Sequence, residues 1–144
     1  MADDPTGSNT AAGMTNYDDL YADTREWIRQ GYIDYIAPQI YWSIGFAPAS
    51  YDILVDWWKM KSAIAPFIYT LDKQPINQSN SDPAWSDPEE YPRQIALNRA
   101  SNVMGSIHFS LKDLNRNPLG IKDRLIQDLY KNRQLFPICL GLAA

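Results

Sequence analysis

Three short apolar runs do most to limit what this chain can become: IDYIAPQIYW (33–42), AIAPFIYTL (63–71) and VMGSIHFSL (103–111). Each is followed by a segment with helical signals. After the first, Ser50 can cap YDILVDWWKMKS, whose Leu54, Val55, Trp57 and Trp58 fall on one side. After the second, a helix is expected from about Glu90 to Ala100, with Pro92 in its first turn. After the third, Asn117 can cap and Pro118 open a helix striped by Ile121, Leu125 and Leu129, ending at Phe136-Pro137. A further helix is expected ahead of the first run, over YDDLYADTREWIRQ, with Asn16 as cap, Leu20, Trp27 and Ile28 inward and Gly31 as stop. Pro66 removes a ladder donor from the middle run.

Strands alternating with helices of this length pair in parallel, so the fold class is α/β, built of βα units. The predicted layout is one domain over 1–144: a loop at 1–15, a helix and three βα units over 16–137, and a tail at 138–144. Three parallel strands cannot close a barrel, which takes eight. They form either a thin open sheet or a piece of a larger one.

Composition removes several functions. The net charge of −4 gives no basic footprint for nucleic acid. No run reaches the ~20 apolar residues of a membrane span, and the opening MADDPTGSNT is the reverse of a signal peptide. The single cysteine, Cys139, lies between Ile138 and Leu140, as a buried inert thiol would. One histidine cannot make a His-cluster metal site, and no Gly-rich phosphate loop is present, so neither metal nor cofactor is expected. The loop DKQPINQSNSDPAWSDP is long and polar, and its Asn-x-Ser at Asn77 reads as coincidence.

In parallel βα folds the working groups sit at the carboxyl ends of strands. That rule selects Gln39, Tyr41 and Trp42 after the first run, Tyr69, Thr70, Asp72 and Lys73 after the second, and His108, Ser110, Lys112 and Asp113 after the third. Tyr41 and Trp42 offer flat apolar faces and Gln39 a donor and an acceptor, the combination a sugar ring needs. The same two aromatics could instead roof the core. Ser110, His108 and Asp113 could be written as a triad, but no nucleophile elbow accompanies them, and a strand histidine lining the site is the better reading. Glycoside hydrolysis needs two facing carboxylates, for which Asp72 and Asp113 are the strand-end candidates. No diagnostic pattern precedes either.

The blocks GSNT…YDDLYADTREWIRQGYIDYIAPQIYW, YDILVDWW, QIALNRASNVMGSIHFS and NPLGIKD…LY…P together resemble the bacterial glycosyl-hydrolase-like family ten, from about Asp4 to Pro137. The resemblance implies a (β/α)8 barrel of which this chain holds about the last three strands and helices. It implies a glycan substrate such as peptidoglycan strands, and a parent protein that is exported or lipoprotein-anchored. It places Gln39, Tyr41 and Trp42 at a substrate-facing strand end, with His108 and Ser110 at the end of the last strand, where the family more often has an aromatic than His108. The family's Asp-Asp-Tyr cluster, expected to carry the catalytic carboxylate, would lie upstream. PFIYTLDKQPINQ departs from the family's usual Gly and Tyr after this strand, so no contact is carried over to Tyr69, Asp72 or Lys73.

Two other readings stand beside a hydrolase fragment: a carbohydrate-binding module using Tyr41, Trp42 and Trp85, and a structural piece that covers its open edges by pairing with itself. Strand residues such as Ile36, Ile40, Phe67, Ile68, Ile107 and Phe109 would be core in a closed barrel, and half of them would face an absent lumen without further strands, so a two-fold homodimer is expected.

Overall fold

The structure, a computed structural model, describes residues 10–11, 15–61, 69–73 and 82–132. Its frame is a parallel sheet in the order β1 (Gln39–Ile40), β2 (Tyr69–Lys73), β3 (Gly105–Phe109). Gln39, Leu71 and Ile107 form one row across it, and Ile40, Asp72 and His108 the next. Consecutive parallel strands need helical crossovers, and α2 (Tyr51–Lys61) and α3 (Glu90–Ala100) supply them. The α/β class follows.

The first helix is shorter than its sequence suggests. Asn16 does not start it. Thr15 instead donates its backbone N–H and hydroxyl to Asp19 at 2.6 and 3.1 Å, and its hydroxyl accepts from the Asp18 N–H at 3.2 Å. Short polar side chains that satisfy nearby backbone in this way favour a turn over a helix. Tyr21 then takes φ 52°, and α1 runs only over Thr24–Arg29, capped by Asp23, whose carboxylate accepts from the Glu26 N–H at 2.9 Å. Leu20 is left exposed and Trp27 partly so; Ile28 alone of the three expected residues is buried. The stop is as expected. Gly31, at φ 66°, donates to the Ile28 carbonyl, and Tyr32 donates to that of Trp27, closing the left-handed cap that glycine permits.

In α2 the residues Tyr51, Leu54, Val55 and Trp58 are buried, the i, i+3, i+4, i+7 stripe of an amphipathic helix. They pack with Ile28, Ile40, Ala49 and Val103 into the main core, and Trp57 sits edge-on to Trp58 at 4.8 Å. At roughly 1.5–3 kcal/mol per fully buried large aliphatic side chain, this stripe is what fixes α2 on the sheet. A second cluster joins Tyr91 and Ile95 of α3 to Ile121 and Leu125.

Four further boundaries differ from expectation, the first being β1, which spans only Gln39–Ile40 of the expected 33–42 run. Residues 62–68, including Pro66, Phe67 and Ile68, lie outside the described residues, and β2 continues through Asp72 and Lys73, expected just beyond it. β3 stops at Phe109 because Leu111 opens an extra helix, α4 (Leu111–Arg116), whose Asp113 and Leu114 N–H groups donate to the Ser110 carbonyl. The last helix starts late: Asn117, Leu119 and Gly120 all take positive φ, so Pro118–Gly120 is a single tight turn before α5 (Ile121–Arg124) and a five-residue π turn (Leu125–Leu129). Asn117 still caps, accepting from the Lys122 N–H at 2.8 Å. Residues 133–144, with Phe136-Pro137 and Cys139, and the Asn77 sequon lie outside the described residues, as does most of the 1–15 loop.

Candidate functional site

The sheet has two unlike faces. One meets α3, and the contact is largely polar. Glu90, Gln94 and Asn98 recur every four residues and form a buried stripe along the helix, Glu90 at 2% exposure. Glu90 accepts from the Ile44 N–H at 2.7 Å and from Gln94 at 2.9 Å, and Arg93 approaches at 3.0 Å. Gln94 also donates to the Trp42 carbonyl at 3.1 Å. Asn98 accepts from the Tyr51 hydroxyl at 3.0 Å and donates to the Ser106 hydroxyl at 2.9 Å. One helix therefore ties the backbone after β1 to α2 and β3. Buried Ser43 adds a bond to Asp82, which caps the turn Pro83–Ser86 through the Ala84 N–H.

The opposite face is apolar and open. Gln39 is exposed, and Ile107, in the same row, is 42% exposed. One step further toward the carboxyl ends, the rings of Tyr41 and Phe109 lie 6.1 Å apart at 24°, nearly parallel, with Phe109 53% exposed. Trp42 follows, 38% exposed, its backbone pinned by Gln94. The structure thus stacks Tyr41, two residues on from Gln39 and next in the chain to Trp42, against Phe109, a residue the rule of strand ends passed over. Its signal was available: in a two-residue alternation Ile107 and Phe109 share a face, and His108 takes the other.

His108 stands on the α3 side. Its Nδ1 meets the Tyr91 hydroxyl at 2.5 Å and its Nε2 the Tyr130 hydroxyl at 3.2 Å, and burial lowers its pKa from 6.5. Both ring nitrogens are engaged by tyrosines, not turned to the open face. Ser110 donates to Asp113 at 2.5 Å, and Arg116 lies 3.6 Å from the same carboxylate, so the pair braces the start of α4. The triad geometry is absent: Ser110 bonds Asp113 directly, and His108 bonds Tyr91 and Tyr130. Asp72 is placed by register in the His108 row; Asp113 lies beyond the end of β3. Among the described residues, no three His, Cys, Asp or Glu side chains are grouped as a metal ion requires, and no helix is long and apolar enough to cross a membrane.

Comparison with known proteins bears on this face. A family model described as Glycosyl hydrolase-like 10 matches residues 4–87. The chain is 62% identical over 138 residues to the Glycosyl hydrolase YngK of Bacillus subtilis (strain 168), covering 94% of this chain and 27% of that protein. It is 37% identical over 124 residues to the Glycosyl hydrolase DigH of Escherichia coli (strain K12), covering 78% of this chain and 27% of that one. The chain thus spans about a quarter of the length of the curated relatives it matches.

Proposed function

Because the chain belongs to the glycosyl hydrolase-like 10 family, we propose that its open sheet face is the sugar-binding wall of a glycoside hydrolase acting on a bacterial glycan such as peptidoglycan strands. The observation that carries this is the near-parallel pair Tyr41–Phe109 at the carboxyl end of the sheet, flanked by Gln39 and half-exposed Trp42. Exposed rings supply the apolar platform on which a pyranose C–H face rests, and Gln39 supplies the hydrogen bonds its hydroxyls require. The three parallel strands are read as about the last three of a (β/α)8 barrel in a protein of the relatives' length, exported or lipoprotein-anchored.

The catalytic pair is assigned to the remainder of such a protein. Glycoside hydrolysis needs two carboxyl groups facing each other across the bond. Here Glu90, Asp82 and Asp113 are each committed to neighbouring donors. Calorimetric titration of the chain, at a concentration low enough for light scattering to show a monomer, with tetrasaccharides of β-1,4-linked N-acetylglucosamine, glucose and α-1,4-linked glucose tests the proposal. Binding to one of them without turnover is expected, weakened roughly tenfold by Trp42→Ala, an effect of about 1.4 kcal/mol. Binding to none, or hydrolysis that Asp72→Asn or Asp113→Asn abolishes, contradicts it.

A further inference from the structure

Tyr21 is the most exposed large hydrophobic residue among the described residues, at 91%, and it occupies a conformation that tyrosine disfavours. Its φ of 52° lies in the left-handed region, where glycine and asparagine sit at little cost and a bulky residue is an outlier. An exposed ring returns nothing to the core for that strain. The backbone around it is nevertheless tightly held. The Ala22 N–H donates to the Asn16 carbonyl at 2.8 Å, the Thr24 N–H to the Ala22 carbonyl at 3.0 Å, and Thr15 and Asp19 close the turn behind it. Tyr17, the other aromatic of the loop, has the Arg25 guanidinium over its ring at 5.7 Å. The loop is therefore a fixed mount, and Tyr21 is the ring it presents.

Its position puts it toward the carboxyl end of the sheet. α1 leads through Gly31 and Tyr32 back to the start of β1, and such a return reverses chain direction, so the loop before α1 lies on the side where β1 ends. Chain reach agrees: Ala11, four residues before Thr15, donates its N–H at 2.7 Å to the carbonyl of Pro48 in the loop that follows β1, which holds that end of the chain near the carboxyl end of the strand. We infer that Tyr21 is a second sugar platform on the rim of the sheet, stacking a ring of the same oligosaccharide beyond the one held at Tyr41 and Phe109. Two platforms on one rim suit an extended glycan better than a single sugar. The inference rests on the glycan reading of the open face.

The test is titration of the chain and of Tyr21→Asn, Tyr21→Phe and Tyr41→Ala with the three tetrasaccharides above and with the matching monosaccharides, alongside thermal melts. Tyr21→Asn is expected to lower affinity for the bound tetrasaccharide roughly tenfold and leave the monosaccharide unchanged. Tyr21→Phe keeps the ring and should keep the affinity. Asparagine accepts the left-handed backbone, so Tyr21→Asn should melt no lower than the parent chain. Unchanged tetrasaccharide affinity in Tyr21→Asn while Tyr41→Ala weakens binding overturns this inference and spares the reading beneath it. A lower melting temperature with equal loss for every sugar shows a structural tyrosine and also overturns it. Absence of binding by the parent chain removes both.

Discussion

The two faces of the sheet differ: the covered one adds a buried polar stripe to its apolar core, and the open one shows apolar rings. Against α3 the chain buries Glu90, Gln94 and Asn98; on the other side it exposes Ile107 and Phe109. Buried polar groups are tolerated where each is matched, and here nearly every atom is, one carbonyl oxygen of Gln94 excepted. Exposed apolar groups grouped on one surface mark a place where something else binds. The comparison teaches that the polar side fixes where the strand ends point, and the apolar side is what those ends present. On the proposed reading, stability and recognition lie on opposite faces, and mutation can test that separation.

The largest effect should come from the polar side. Glu90→Ala leaves the Ile44 N–H without its acceptor and the Gln94 amide with only the Trp42 carbonyl, and should cost about 3 kcal/mol in urea unfolding. A loss under ~1 kcal/mol would mean the stripe is ornamental. On the apolar face the expected change is in association. We propose that the chain pairs two-fold through this face and the edge of β3, which no strand covers among the described residues. Light scattering at tens of micromolar should then give a dimer, and Phe109→Lys a monomer of similar stability. A monomeric parent chain would break that half of the comparison.

The smallest effect is on pH. Burial lowers the His108 pKa below 6.5, so the unfolded chain takes up a proton before the folded one does. Stability should be full above pH 6.5 and fall as pH drops from there toward the lower folded value. Replacing His108 with Gln should flatten that decline. An equal decline in the variant would show that the Tyr91–His108–Tyr130 contacts play no part in it.

Much of the fold was legible because the signals were local. Leu54, Val55 and Trp58 on the inner side of α2, the Gly31 stop and the Asn117 cap each depend on a few neighbouring residues and hold in the structure, whereas Trp57 is only partly buried and Tyr51 takes its place in the core. What sequence could not weigh was competition. Asn16 and Asp23 are both good caps, and side-chain bonds around Thr15 gave the helix to the second. Leu111 reads as the end of a strand, yet the Ser110 carbonyl recruits the next turn into α4. The candidate site was legible as a set of strand ends but not by face. Alternation along β3 puts His108 beside Tyr91 and Phe109 beside Tyr41, and only the register of a folded sheet shows which row meets the helix. The stripe Glu90–Gln94–Asn98 went unread because charged and amide side chains at helical spacing normally describe a wet surface.

The central claim is that the apolar face binds while the polar face holds. It is tested most directly by the unfolding free energy and tetrasaccharide affinity of the double variant Tyr41→Ala/Phe109→Ala, measured on one preparation. The account predicts a stability within ~1 kcal/mol of the parent chain, as for partly exposed side chains, and loss of detectable binding. A loss of ~3 kcal/mol or more, the size expected when core aromatics are truncated, with affinity retained by the molecules still folded, would contradict it.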